Sequence, residues 1–424
     1  MQEEVHLFIL WENSQYRKDE IMKDISESFE ILRIYKVTWS KEKFSENLSR
    51  FYGTNLPDGS YKEQHCGTGP FLLIIVKSNN NKYEIRSTSK GDKVVNALMF
   101  DKKTYYRDLT GGGHKVHATN DIVEVNHDLT LLLGKSTNDF LKEHPSDWDG
   151  NIIEIEQDLF GAYKWNSPSE MFYALNNTTR YALLRNYENL PEDIYLNDHN
   201  DIDLICDSTV DCAYVLNAKK VFQEDYRVHY VTKVEDRNAF FDLRFLSDNY
   251  YCKELEEKLL EDRVFNEKGF YTINNKYYFY TLLYHAVLHK KSFAEDYKKR
   301  LITMNNEINF DSNSKLDECL NILQKWLIQN EYYVTIPEDR TVLFNYENAG
   351  KLSKLVYRNE QVIKELKNNI NSLNEKFENL KSANDILNND YNKKIQEINN
   401  IYNSRSWRST KIFRSISKFI KNRW

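Results

Sequence analysis

Proline and glycine are scarce, at 6 and 13 residues in 424. That scarcity excludes a flexible or polyproline linker, so domain boundaries have to be sought in changes of hydrophobic pattern. The five cysteines, Cys66, Cys206, Cys212, Cys252 and Cys319, are scattered without a CxxC pair. Such spacing speaks against a structural zinc site or a disulfide framework and for buried thiols in a reducing compartment. No stretch approaches the roughly 20 consecutive apolar residues of a membrane-spanning helix. The opening MQEEVHLFILWENS carries acids where a signal peptide has bases, and it lacks a small-residue cleavage site. These absences together predict a protein made and kept in the cytoplasm.

What is present is a globular balance of 41% hydrophobic and 29% charged residues, with 29 tyrosines leading an aromatic content of 14%. At 424 residues the chain exceeds one ordinary core, and two or three domains are expected. The net charge of −6 conceals an asymmetry: residues 405–424 carry seven Lys/Arg and no acid, which leaves −13 on the remainder. An acidic body argues against a general nucleic-acid binder. The local basic end fits either an anionic lipid surface or a disordered tail.

Hydrophobic period divides residues 1–145 into a strand over 5–11, a polar helix over 17–28, a strand over 29–39 and an amphipathic helix near 41–52. GPFLLIIV at 69–76 reads as a buried strand with KYEIRST as its antiparallel neighbour, and VNALMFDKKTYYRDL reads as helix. Gly111, Gly112 and Gly113 make a tight loop before a short strand at 114–118 and a helix over 120–133. The order is βαββαβ with extra helices, an α+β arrangement. A second unit, 146–300, has a helix reaching Leu184 and Arg185, then strands at 201–206, 227–234 and 239–245. Aromatic helices fill 250–300, where His285 and His289 read as packing or substrate contacts. Residues 301–349 are a helical extension with a helix at 315–331 and an extended or strand piece at 332–346.

In the first unit Arg107 precedes the glycine run, then His114, Lys115, Val116, His117, Ala118, Thr119 and Asn120, with Asp128 eleven residues beyond His117. This series resembles the active-site stretch of nucleoside diphosphate kinases. GTGPFLLIIV and FILWENS are similar to strands of that family, so the resemblance covers residues 5–140 and implies a ferredoxin-like fold. It also implies His117 as a phosphorylated nucleophile, Asp128 as the acid orienting its ring, and Arg107, Arg86, Lys115 and Tyr52 as phosphate contacts. Trp11 stands where the family's first strand supplies a lysine, and His114 where it has an asparagine.

In the second unit Asp201 and Asp203 share one face of a strand, and Asp242 sits in the apolar strand AFFDLRF. A DxD pair with a third acid resembles the polymerase-β-like nucleotidyltransferase fold. The resemblance implies that Asp201, Asp203 and Asp242 hold Mg²⁺ against a nucleotide's phosphates. Arg185 and Asn186 occupy the place of that fold's Gly-Ser, where Arg185 would reach phosphate through its side chain.

From residue 350 the pattern changes. Leu352, Val356, Ile363, Leu366, Ile370 and Leu373 open a series of alternating four- and three-residue steps that runs to Ile401. Interrupted at Asn359, Asn384 and Lys394, it predicts a homo-oligomeric coiled coil over 350–403, a single packed helix being the other reading. Residues 404–424 interleave Trp407, Ile412, Phe413, Ile416, Phe419 and Ile420 with the cations, the pattern of an interfacial membrane helix or a protein-docking helix. The run SRSWRST also resembles the C-termini of bacterial surface-glycan enzymes. Together the resemblances imply a phosphotransferase of surface-polysaccharide synthesis, peripheral on the inner membrane face. It would pass a phosphoryl or phospho-alditol group from a nucleotide donor to a lipid-linked glycan. The alternative is a non-catalytic oligomeric scaffold built from degenerate nucleotide-binding modules.

Overall fold

A computed structural model describes residues 3–404, apart from 89–90, 146, 193, 195–200 and 305–314, together with residues 409–410. The basic tail expected at 404–424 therefore lies outside the described residues except at Ser404, Ser409 and Thr410. The fold is mixed α/β, with one compact unit up to Ser353 and a second from Lys354.

Its first half contains β1 (Glu4–Leu10), a 3₁₀ turn (Glu12–Arg17), α1 (Lys18–Ser28), β2 (Glu30–Thr38), α2 (Phe44–Tyr52), α3 (Tyr61–Cys66) and β3 (Phe71–Ser78). Then follow β4 (Tyr83–Thr88), β5 (Gly91–Asn96), α4 (Ala97–Leu109), β6 (Val116–Ala118), α5 (Ile122–Leu133), α6 (Thr137–Glu143) and β7 (Ile152–Glu156). Five strands form one sheet in the order β6-β1-β3-β2-β7, antiparallel except for the β2–β7 pair. The sheet is covered on both faces, which is why β1 and β3 read as continuous apolar runs. Leu7, Ile9, Phe71, Leu73 and Ile75 pack with α2 and α5 on one side. Phe8, Leu10, Leu72, Ile74 and Val76 pack with α1 and α4 on the other.

Two expectations are corrected here. The segment KYEIRST does not flank β3; as β4 it pairs with β5 in a separate two-stranded ribbon. Both edges of β3 are already taken, by β1 and β2, so no hydrogen-bonding edge remains for it. The five-stranded sheet also extends past residue 145, because β7 adds to β2 with Ile34 opposite Ile152.

The second half contains α7 (Pro168–Thr178), β8 (Tyr181–Arg185), β9 (Ile202–Cys206), α8 (Thr209–Leu216), β10 (Lys219–Lys220), β11 (His229–Val234) and β12 (Arg237–Phe245). It continues with α9 (Lys253–Glu261), β13 (Val264–Phe265), β14 (Tyr271–Thr272), α10 (Asn275–Leu288), α11 (Glu295–Met304), α12 (Leu316–Gln329) and α13 (Tyr346–Lys351). The helix expected to reach Arg185 stops at Thr178. Thr179 is extended (φ −132°, ψ 137°), and the five buried residues Tyr181–Arg185 form a strand instead. Two consecutive β-branched threonines and a run of buried residues favour that switch. Seven strands form the sheet β10-β11-β12-β9-β8-β14-β13. One face is dry, with Tyr181, Leu183, Leu204, Cys206, Phe241 and Leu243 packed against α7 and α8. The opposite face lies toward α10, of whose 14 residues 11 are buried. All five cysteines are free and buried.

Beyond this unit, α14 (Ser353–Asn403) is one uninterrupted 51-residue helix. Its expected seam residues Ile370, Leu373, Phe377, Leu380, Leu387, Tyr391, Ile398 and Ile401 are all exposed in the single chain.

Arg50 of α2 ties the two halves of the compact unit together. Its side chain is buried and donates to the carbonyls of Tyr214 (3.0 Å) and Val215 (3.0 Å) at the end of α8, and to that of Phe160 (2.9 Å). Gly53, which ends α2 with φ +60°, meets α8 so closely that a Cβ there would lie 2.8 Å from an Asp211 oxygen. Arg50→Met removes three charge-assisted hydrogen bonds and strands their carbonyls. It is expected to lower urea-measured stability by about 2–4 kcal/mol; a loss below about 0.5 kcal/mol would show the contact is not structural.

Candidate functional site

The second sheet carries a polar row across four adjacent strands. β11 pairs with β12 so that His229 faces Asp242, β12 with β9 so that Asp242 faces Asp203, and β9 with β8 so that Asp203 faces Arg185. Directly paired residues project to one face of a sheet, so all four side chains share it, as does Asp201 two residues before Asp203. Exposure falls along the row, from 24% for the His229 side chain and 14% for Asp242 to 8% for Asp203 and Arg185. The row is therefore open at the histidine and closed at the arginine.

At the open end Asp201, His229 and Asp242 each offer a ligand atom, all within 4.8 Å of one another, a grouping able to hold a metal ion. His229 Nε2 lies 3.3 Å from Asp242 Oδ1, and its Nδ1 lies 3.8 Å from Oδ2 of Asp339, in a turn between α12 and α13. None of His229 Nδ1, Asp242 Oδ1 and Asp339 Oδ2 has a hydrogen-bond partner. Burial raises the Asp201 carboxyl above its usual range; His229 lowers it and Asp203 raises it further. Burial likewise raises Asp203, with Arg185 opposing and Asp242 reinforcing.

At the closed end Arg185 binds Asp203 and donates to the Tyr250 hydroxyl (3.0 Å), which is 2.6 Å from His285 Nδ1. His285 Nε2 in turn lies 3.2 Å from the Tyr297 hydroxyl. Arg244, two residues past Asp242 and on the same face, lies over the Tyr250 ring at 4.3 Å, between Asp242 (3.7 Å) and Asp248 (3.6 Å). His289 is buried beside Tyr250 with neither ring nitrogen hydrogen-bonded. Burial, reinforced by Arg185, Arg244 and Lys290, pushes His285 and His289 well below the ordinary histidine value, so both are neutral. Asn186, held at φ +60°, donates to Asp203 (3.4 Å) and accepts from Arg300 (2.8 Å). Through Arg300 the row reaches a cavity of about 480 Å³ lined by Tyr187, Glu188, Tyr278 and Phe279.

The first sheet holds the other group of candidates. His117 on β6 is buried, and its Nε2 lies 2.8 Å from Asp128 of α5; Nδ1 is the nitrogen outside that bond. Burial raises the Asp128 carboxyl, but hydrogen bonds to His117 and His127 outweigh it and hold the pKa below its ordinary value. The rings of Phe51 and Tyr52 stand edge-on to His117 at 5.3 and 5.7 Å, and the Trp11 indole N–H donates to the Tyr52 hydroxyl (3.2 Å). Arg107 donates to the Val116 carbonyl (2.8 Å), and Lys115 to that of Thr110 (2.6 Å). Gly113 has φ +82°, a conformation that disfavours any side chain, and a Cβ there would lie 2.1 Å from the His65 ring. His117, Glu124 and Asp128 also converge within 4.8 Å. Glu124 already accepts from the Asn120 amide and side chain, however, and buried Lys103 reaches the Ala118 carbonyl (3.2 Å) and the Asn120 side chain (2.7 Å). Burial lowers Lys103 to about 8, against the pull of Glu124.

Asp201, Asp203, Asp242 and Arg185 thus come together, as do His117, Asp128, Tyr52 and Arg107. Arg86 is not brought in: it sits on the β4–β5 ribbon with Glu84 (2.6 Å) and Asp101 (3.6 Å). His229, Arg244, Tyr250 and Asp339 carry no motif. One signal for His229 exists, because counting outward from a two-residue turn at Glu235 and Asp236 places it opposite Asp242. Comparison with protein-family models, curated proteins and solved structures finds no match for this chain.

The neutral histidines set a pH dependence. With a folded pKa well below 6.5, His289 binds fewer protons than in the unfolded chain, so stability is present above that value and is lost as pH falls through it. The loss reaches up to about 1.4 kcal/mol per pH unit. Glu256, pushed up to about 9 by burial and by Asp248, acts in the opposite sense, so the comparison is made between variants. From pH 7 to 5.5, His289→Gln should lose stability less steeply than wild type in urea titrations; equal slopes would refute a neutral buried His289.

Proposed function

We propose that this chain is a cation-dependent phosphotransferase acting at Asp201, Asp203 and Asp242, passing a phosphoryl or phospho-alditol group from a nucleotide donor to a glycan hydroxyl. The observation that carries the reading is the row His229–Asp242–Asp203–Arg185, with Asp201 on the same face. The strand–strand–helix–hairpin order of β8, β9, α8, β11 and β12 supports the likeness to polymerase-β-like nucleotidyltransferases. A divalent cation held by Asp201 and Asp242, Mg²⁺ being the one the resemblance implies, supplies charge neutralisation at the donor's phosphates. Asp203 keeps the Arg185 guanidinium in the row, where that fold meets phosphate by backbone. The aromatic cavity beyond Asn186 has the volume and lining for the donor's nucleoside. An acceptor hydroxyl enters at the partly exposed His229 end and attacks in line.

For the first sheet, the order β6-β1-β3-β2 with antiparallel pairing supports a ferredoxin-like module related to nucleoside diphosphate kinases. The His117–Asp128 bond favours a second reading, a phosphohistidine step at Nδ1. The aromatic cover and the Trp11–Tyr52 bond favour nucleotide or glycan binding by that module without its own chemistry. The exposed seam of α14 supports homo-oligomerisation, and the cations of 405–424 support attachment to an anionic cytoplasmic membrane face beside a lipid-linked acceptor.

Isothermal titration against nucleoside diphosphates and nucleotide–alditol conjugates with Mg²⁺ tests the central reading. Wild type and His117→Ala should bind alike, while Asp201→Asn/Asp242→Asn should lose at least 100-fold. Binding that survives in the aspartate variant would move the nucleotide elsewhere, and no binding by wild type would favour the scaffold. Sedimentation equilibrium should show an oligomer for the intact chain and a monomer for residues 1–352. Liposome flotation should recover the intact chain but not one ending at Ser404; equal recovery would sink the membrane role.

A further inference from the structure

We infer that the cation at the central site is bound through the His229 imidazole as well as through Asp201 and Asp242, with Asp339 positioning the ring, so that the site prefers a borderline divalent ion such as Mn²⁺ to Mg²⁺. This rests on the reading of the row as a cation site and deepens it.

The antiparallel register places His229 directly opposite Asp242, and the ligand atoms of His229, Asp201 and Asp242 already lie within 4.8 Å of one another. The second observation is independent of that cluster. Asp339 comes from a different part of the chain, and its side chain is fully buried. Its Oδ1 is occupied by the Thr341 amide (2.9 Å) and hydroxyl (2.6 Å), yet its Oδ2 has no hydrogen-bond partner and faces His229 Nδ1 at 3.8 Å. A buried carboxylate oxygen is costly to leave unsatisfied. A carboxylate behind one ring nitrogen selects the tautomer with the proton on that side and leaves the other nitrogen's lone pair for a metal, a recurrent arrangement behind metal-ligating histidines. Here the other nitrogen is Nε2, on the Asp242 side. Asp203, the acid a DxD motif would contribute, is instead bound by Arg185. The set is then two carboxylates and one imidazole. Magnesium favours an all-oxygen shell, whereas imidazole nitrogen shifts preference toward first-row transition ions.

The test uses the full chain without nucleotide, with Mn²⁺ as probe, its free concentration followed by electron paramagnetic resonance and Mg²⁺ as competitor. Wild type should bind Mn²⁺ at least tenfold more tightly than Mg²⁺, and the bound ion should show nitrogen modulation in pulsed spectra. His229→Gln should lose that modulation and at least tenfold in Mn²⁺ affinity, with Mg²⁺ affinity changed less than threefold. Asp339→Asn should weaken Mn²⁺ about tenfold while retaining the modulation. Binding of Mn²⁺ that depends on Asp242 but shows no nitrogen modulation would overturn the inference and leave the phosphotransfer reading standing on carboxylates alone. If no bound ion is lost in Asp242→Asn, the inference and the cation-dependent reading both fall. The wild-type spectrum decides the point even if a variant folds poorly.

Discussion

Two carboxylates facing each other on neighbouring strands repel, and burying one of them raises the cost. Asp203 and Asp242 stand in that relation, and the surrounding architecture compensates for it. Arg185 closes the row on one side, Arg244 lies one step along the same face, and His229 stands on the far side. Each compensating group has its own support: Tyr250 binds Arg185 and underlies Arg244, and His285 binds Tyr250. The dry opposite face lets these polar interactions stay on one side of the sheet.

The same logic explains why the helical segment beyond residue 300 belongs to the site. Asp339 lies between α12 and α13, far along the chain from the DxD strand, yet its carboxylate faces His229. The Glu338 amide donates to the Asp248 carbonyl (2.9 Å), which anchors that stretch beside the charged face.

In the first sheet the comparable cluster is resolved differently. His117 and Asp128 satisfy each other, and the buried Lys103 ammonium, bound to the Ala118 carbonyl and the Asn120 side chain, lies within electrostatic reach of Glu124 and Asp128. An ammonium built into the chain answers the negative charge there, whereas the carboxylates of the second sheet are answered only in part. That difference favours the second sheet as the seat of the proposed chemistry.

Much of this was legible in the sequence. The runs VHLFILW and FLLIIV read as buried strands because both faces of their sheet are covered, and DIDLIC and AFFDLRF read as strands with acids on one face because side chains alternate. The 51-residue helix follows from a repeat free of proline and carrying no glycine. Local periodicity and steric preference suffice for all of these. The sequence could not say that KYEIRST would lack an edge to join, that Arg86 would lie on a separate ribbon, or that Arg185 would bind Asp203. Nor did it mark His229 and Asp339 as neighbours. Those outcomes depend on strand register and on which segment covers which face, and register is settled by long-range packing that no local pattern contains.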